Sequence, residues 1–376
     1  MPERGRGVKR LVLVGGGHAH VHVLAAMAAD PFAATQVTLV SPYSRQIYSG
    51  MLPGWISGYY AIEDCALSLD SLARRAGVRF VQTSCSGLDL ASRQVRCASG
   101  ETIPFDYVSI DSGPAANLAG LDGATEHALP VRPIEGFVAA WPGLLDRARN
   151  HAGEFRLAIV GDGAAAVELA FAMQTRFAAE GLRHARLTLV GGNPQALAGF
   201  PFLLRHKVAK LLAAKGIAHL GKRRVVGLRP DQVLLEDGTR LAADAALLAT
   251  GAAAPGWPAV SGLATDDAGF IRVDPRLQSL SHPFVFAAGD VAAYADPRPK
   301  SGVFAVRAGP PLAANLRAVC QGQALKPWQP QRRALYLLST GNKHALAAWG
   351  PVSAGGDWVW RWKDRIDRRF IARFGS

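Results

Sequence analysis

Cysteine is scarce in this 376-residue chain, and acidic residues are outnumbered. The four cysteines, Cys65, Cys85, Cys97 and Cys320, are too few and too scattered for a disulfide framework, and no two form a C-x-x-C pair. That excludes a disulfide-stapled secreted module and a cysteine zinc site, and makes a reducing, cytoplasmic location the expectation. No apolar run reaches the ~18 to 20 residues a membrane span needs. The N-terminal "MPERGRGVKR" leads into a glycine turn and not into a signal-peptide core. Lys and Arg number 42 against 29 Asp and Glu, a formal charge of +13. Such an excess suits an anionic cofactor, an anionic lipid surface or nucleic acid. With no nucleic-acid fold or aromatic-basic recognition motif beside it, nucleic acid is not expected.

What is abundant is apolar sequence, 49% of the chain, enough for two or three domains with cores of their own. The stretch "LVLVGGGHAHVHVL" (11–24) reads as strand, tight glycine turn and helix, with the helix running from about 17 to 29 and a second strand in "QVTLVS" (36–41). "PYSRQIYSGMLPGWISG" then breaks every periodicity and reads as a long structured loop, of the kind that carries function on an α/β scaffold. A second copy of the pattern begins at "FRLAIVGDGAAAVELAFAMQTRF" and returns in "ARLTLVGG" (185–192), so the chain contains an internal repeat, with Gly15 and Gly161 offset by 146 residues.

A glycine loop at a helix N-terminus binds pyrophosphate because backbone N–H groups converge there and the helix dipole favours negative charge. In G-x-G-x-x-G the first glycine permits the turn, the second lets phosphate approach, and the third allows close helix packing. The first loop keeps Gly15 and Gly17 but places His20 at the packing position; the second keeps Gly161 and Gly163 and has Ala166 there. Two such loops, each between a strand and a helix, point to two nucleotide sites. The acidic residue that usually bonds ribose at the end of the second strand is missing from both halves, which offer Ser41 and Gly191. Ser41 can still bond a ribose hydroxyl. The choice between NADH and NADPH stays open, with Arg205 and Lys207 able to favour a 2′-phosphate if the fold brings them close. His18, His20 and His22 alternate along a helix and splay around it, so no metal site is expected; His18 is read as a phosphate-loop residue.

The two glycine loops, "ATG" at 249–251 and "FAAGD" at 286–290 together resemble the flavoproteins with two dinucleotide-binding domains, the superfamily of type II NADH dehydrogenases and disulfide reductases. The resemblance implies an α/β fold of two Rossmann-like domains. An FAD domain (1–120 and 252–325) would be interrupted by an NAD(P)H domain (121–251) and followed by a small C-terminal segment (326–376). It implies FAD contacts from Gly15, Gly17, Gly289 and Asp290, the last on the ribitol, and NAD(P)H contacts from Gly161, Gly163, Ala166 and Gly251. A narrower likeness, in "VGGGHAH", "LVSPYSRQIYSGMLPGWISG", "SIDSG" and "RPKSGVFAVRAGPPLAANLRA", is to the NADH-dehydrogenase-like flavoproteins found fused to selenide, water dikinase.

Disulfide reductases carry a cysteine pair beside the flavin, where this chain reads "YSGMLPG", so no dithiol relay is expected. What remains is hydride transfer from NAD(P)H to FAD and onward transfer of electrons, most simply to a quinone. A selenium or sulfur species or a partner protein is the alternative acceptor, and a non-catalytic nucleotide-sensing module is the third reading. The flavin carries the chemistry and the protein aligns two rings. Glu168 matches the family's glutamate near the nicotinamide, and Lys300 and Arg307 are further candidates at the flavin or acceptor. In "DWVWRWKDRIDRRFIARF", Trp358, Trp362, Ile366, Phe370 and Phe374 form one drifting helical stripe with arginines among the remaining positions. This suits either a membrane interface on the cytoplasmic face or docking on the protein itself or a second subunit of a homodimer.

Overall fold

The computed structural model is described for residues 7–375; Met1–Arg6 of the basic N-terminal stretch and Ser376 lie outside the described residues. The chain opens with β1 (Lys9–Val14), α1 (His18–Ala29), β2 (Thr35–Ser41), β3 (Arg79–Gln82) and β4 (Tyr107–Ile110). A second unit follows: β5 (Ala128–Pro130), α2 (Ile134–Asn150), β6 (Phe155–Val160), α3 (Ala164–Ala179), β7 (Ala185–Val190), α4 (Phe202–Ala214), β8 (Ala218–Leu220) and β9 (Ala245–Leu248). The chain then returns to the first unit through β10 (Val285–Ala287) and α5 (Gly302–Cys320). It closes with β11 (Leu335–Ser339), β12 (Ala345–Trp349), β13 (Val352–Gly356) and α6 (Asp357–Gly375).

Both five-stranded sheets are wholly parallel, in the orders β10-β4-β1-β2-β3 and β5-β9-β6-β7-β8. Parallel strands are covered on both faces, which is why β1 reads as an unbroken apolar run. Its side chains nevertheless alternate between cores. Leu11 and Leu13 join the cluster under α1 and α5, while Val12 and Val14 join the one on the other face with Phe105, Val108 and Ile110. In each sheet the strand feeding the glycine loop is central, flanked by β2 and β4 in one and by β7 and β9 in the other, so each loop opens at a topological switch point. The two chain crossings between the units run side by side, as the antiparallel pair Ala115–Ala116 and Ala252–Ala253. The fold is therefore α/β with two Rossmann-like sheets.

The C-terminal segment is an antiparallel meander, β11-β12-β13, with α6 laid across it and onto the first unit. Val359 seals the meander, and Phe374 enters the core beneath α1. The long loop after β2 contains a short strand, Arg45–Ile47, paired with Ala66–Ser68, and a helical turn at Leu52–Ile56 that packs on α3. No helix among the described residues is long and apolar enough to cross a membrane.

Candidate functional site

The first glycine loop is built around an acid that belongs to neither glycine motif. Gly15 has φ +95°, and a side chain there would collide with the carbonyl of Asp111 at 2.4 Å. A Cβ on Gly17 would meet the Asp111 carboxylate at 2.4 Å. That carboxylate accepts hydrogen bonds from the N–H groups of Ala19 at 2.8 Å and His20 at 3.0 Å, capping the first turn of α1. The amides of Gly15 and Gly17 donate to Val40 and Asp111 carbonyls. The N–H groups of Gly16 and His18 are left for a ligand.

His20 explains the absent third glycine. Its ring is wholly buried between α1 and the sheet, with Nδ1 2.6 Å from the Gly15 carbonyl and Nε2 2.8 Å from Ser109 Oγ. Burial pushes its pKa down to about 4, so the ring is neutral. A carbonyl can only accept, so Nδ1 carries the proton and Nε2 accepts from the Ser109 hydroxyl. The three histidines reach three different neighbours. His18 meets Gln46 Nε2 at 3.2 Å, His20 the loop itself, and His22 packs against Gly309 and Phe374.

The other first-half residues gather nearby. Gly289 has φ +70°, and a Cβ on it would lie 2.5 Å from Asp111 Oδ1, so Asp111 and the "GD" turn are in direct apposition. Asp290 is pushed up by burial, opposed by Arg132, whose guanidinium stands 3.5 Å away, and by Lys300. The Lys300 ammonium itself donates to the Ala292 carbonyl at 2.5 Å and sits 3.8 Å over the Phe270 ring. Ser41 is buried, with its hydroxyl donating to the Tyr43 carbonyl.

The second loop is more open. Gly161 has φ +128°, with the Ala249 carbonyl 2.4 Å from where a Cβ would be. Ala166 is buried at the packing position, whereas Gly163 and Gly251 are exposed, with nothing within 4 Å of an added Cβ. No side chain caps the start of α3, so its first N–H groups have no side-chain acceptor. Gly191 follows β7 where an acid is usual, but Asp162, between the two loop glycines, brings its carboxylate against the position a Cβ there would take. Asp162 is held by the Asn193 N–H at 3.0 Å and its amide Nδ2 at 2.9 Å. Arg205 lines a cavity of about 140 Å³ beneath α4 with His219. The positive-φ turns at Gly15 and Gly161 and the exposed Gly163 and Gly251 of the second loop fit a dinucleotide at each loop.

Glu168 belongs to a different constellation. Its carboxylate on α3 accepts from the Ser339 N–H at 2.8 Å, and burial raises it to about 7, opposed by Lys363. Lys363 is buried on α6, donating to Asp367 at 2.6 Å and to the Gly50 carbonyl at 2.5 Å. Tyr48, whose phenol is pushed up by burial and by Asp367, stacks on Phe370, and both rings lie beside His18. A half-buried acid, a buried ion pair and a tyrosine thus connect the start of α1 with α3 and α6. Sequence reasoning did not find Asp111, Lys363, Asp367 or Tyr48. The available signals were an aspartate in "SIDSG" at the end of a buried strand, and a lysine and aspartate four apart on the apolar side of the last helix.

Cys65 is the only cysteine near the "YSGMLPG" loop. It is buried, its thiol pushed up to about 12 by burial, and it reaches only the Ala61 and Met51 carbonyls. No dithiol is assembled among the described residues, where all four cysteines are free.

The model of the pyridine nucleotide-disulphide oxidoreductase family matches residues 9–309. A NADH dehydrogenase-like protein of Mycobacterium tuberculosis is 26% identical over 235 residues, 61% of this chain and 59% of that protein, so the match spans less than two thirds of the relative. The demethylphylloquinone reductase of Synechocystis is 25% identical over 295 residues, covering 75% of this chain and 72% of that one. Among solved structures, NDH2 from Plasmodium falciparum with NADH superposes with a TM-score of 0.83 at 14% identity, over 98% of this chain and 97% of the other. The sulfide:quinone oxidoreductase of Aquifex aeolicus gives 0.81 at 18%, over 97% and 91%. At these identities the structures establish the fold.

Proposed function

Because the chain belongs to the pyridine nucleotide-disulphide oxidoreductase family, we propose that it is an FAD-dependent NAD(P)H oxidoreductase whose electron acceptor is a quinone. The observation that carries this reading is the pairing of two glycine loops, each opening a helix at the central strand of a parallel sheet, with the half-buried, proton-holding Glu168. In this reading residues 1–120 and 252–325 hold FAD and 121–251 hold NAD(P)H, supported by the paired crossings at Ala115–Ala116 and Ala252–Ala253.

The Gly16 and His18 amides would hold the FAD pyrophosphate, and Asp290 would accept from the ribitol. The uncapped start of α3 would hold the NAD(P)H pyrophosphate, with exposed Gly163 and Gly251 leaving room for it. FAD, when bound, supplies a centre that takes two electrons as hydride and releases them to the acceptor. Reducing a quinone also consumes two protons. Glu168, poised near pH 7, holds one beside the Lys363–Asp367 pair.

A membrane-soluble acceptor gives α6 a role. Trp358, Trp362 and Ile366 are exposed on it, with Arg361, Arg365 and Arg369 interleaved, and Trp349 and Val352 of the meander are exposed as well. That surface suits the interface of an anionic membrane. The names of relatives, demethylphylloquinone reductase and NAD(P)H-ubiquinone oxidoreductase, support a quinone. The sequence likeness to the dikinase-fused subgroup, in "GGGHAH" and "SIDSG", keeps a selenium or sulfur acceptor as the competing assignment.

Steady-state NAD(P)H oxidation with a short-chain quinone, and separately with selenite and persulfide, tests the assignment. Quinol formed in step with NAD(P)H consumed is expected; turnover with the selenium or sulfur species alone would overturn the quinone.

A further inference from the structure

We propose that Asp111 is the proton-accepting residue of the first glycine loop, taking up a proton when the loop receives the phosphates of its dinucleotide. The proposal rests on the reading of that loop as an FAD site.

Asp111 is 3% exposed and occupies the space that Gly17 and Gly289 leave by lacking side chains. Its carboxylate is bonded to the Ala19 and His20 amides, so it already uses the positive end of α1 that a phosphate would use. The titratable groups facing it offer no compensating charge. On α1, His20 presents only its backbone N–H, its ring being neutral and turned to Gly15 and Ser109. From the turn after β10 comes Asp290, a second acid, and beyond it Tyr294, whose phenol is pushed up in part by Asp111. The two cations of this region, Arg132 and Lys300, act on Asp290.

A pyrophosphate at the Gly16 and His18 amides would therefore bring negative charge to a helix end already holding a carboxylate, beside another. Like charges at that range raise the carboxyl pKa further. The proton comes from water, and nothing else is consumed. Without ligand, burial already holds Asp111 at about 7. The sign follows: below pH 7 the residue is already protonated and binding is insensitive to pH. Above it each binding event takes up one proton, and affinity falls toward tenfold for each pH unit, roughly.

The test is calorimetric titration of FAD into flavin-stripped full-length protein at pH 8, in two buffers of different ionisation enthalpy, with affinity followed from pH 6 to 9. Uptake of about one proton and a fall in affinity above pH 7 are expected. Asp111→Asn is expected to bind FAD without proton uptake and with a flat pH profile, whereas Asp290→Asn binds more weakly but keeps the uptake. FAD binding without proton exchange in the wild-type protein, or uptake persisting in Asp111→Asn, overturns the proposal while leaving the flavin reading intact. Failure to bind FAD at any pH overturns both. The wild-type measurement stands by itself if the variant does not fold.

Discussion

At His20 the loop exchanges a packing glycine for a ring held at both nitrogens. The substitution is legible in "GGGHAH", but its partner Ser109 is 89 residues away, and nothing local announces it. Truncation to alanine removes two buried hydrogen bonds and leaves a cavity, so His20→Ala should lose roughly 2 to 4 kcal/mol in urea denaturation. An unchanged midpoint would mean that the ring is not a strut. His18 and His20 are both pushed down to about 4, chiefly by burial. The unfolded chain takes up their protons below about pH 6.5, so their part of the stability is present above that pH and is lost as pH falls toward 4, by up to ~3 kcal/mol each. Denaturation midpoints across that range should show the loss, and His20→Ala should show less of it. Glu168 runs the other way. Held at about 7, it is the acid expected to give the quinone step its pH dependence. Glu168→Gln should slow quinone reduction roughly 100-fold and flatten its pH profile. Flavin reduction by NAD(P)H, followed separately by stopped flow, should stay within twofold, roughly; equal slowing of both steps would remove Glu168 from the acceptor side.

At the scale of elements, α6 shows how far a stripe can be read. The apolar periodicity of its sequence predicts a helix, and Asp357–Gly375 is one. The stripe drifts around the helix, so only part of it docks on the protein itself. Phe370 and Phe374 pack on α1 and the Tyr48 loop, whereas Trp358, Trp362 and Ile366 stay exposed. Periodicity could not show that Lys363 and Asp367 point inward, since a lysine and an aspartate in a helix are ordinarily solvated. Removing one member of a buried pair strands the other charge, so Lys363→Met should destabilise by about 3 kcal/mol or more. The triple variant Trp358→Ala, Trp362→Ala, Ile366→Ala should leave stability within about 1 kcal/mol while abolishing co-sedimentation with anionic vesicles. Retained vesicle binding would assign membrane contact elsewhere.

For the whole molecule, the repeat was the most readable feature. Two strand-glycine-helix units became two parallel sheets with the loop strand central in each, because apolar runs, glycines and Ala-rich helices are local signals. The C-terminal meander left no comparable trace. Its strands, "LYLLS", "ALAAW" and "VSAGG", are short and rich in alanine and glycine, and their order comes from packing on α6 and α3. The site was half legible for the same reason. Glycine loops are contiguous, whereas the Glu168 cluster is assembled from residues 45–50, 168, 339 and 363–367 by the closure of three units on one another. In the proposed reading this closure brings an NAD(P)H loop and an FAD loop to one redox centre. Anaerobic mixing of the FAD-loaded protein with NADH or NADPH, while the flavin absorbance is followed, tests it most directly. Bleaching of the flavin by at least one of the two donors is the predicted result; a bound flavin that neither donor bleaches would contradict it.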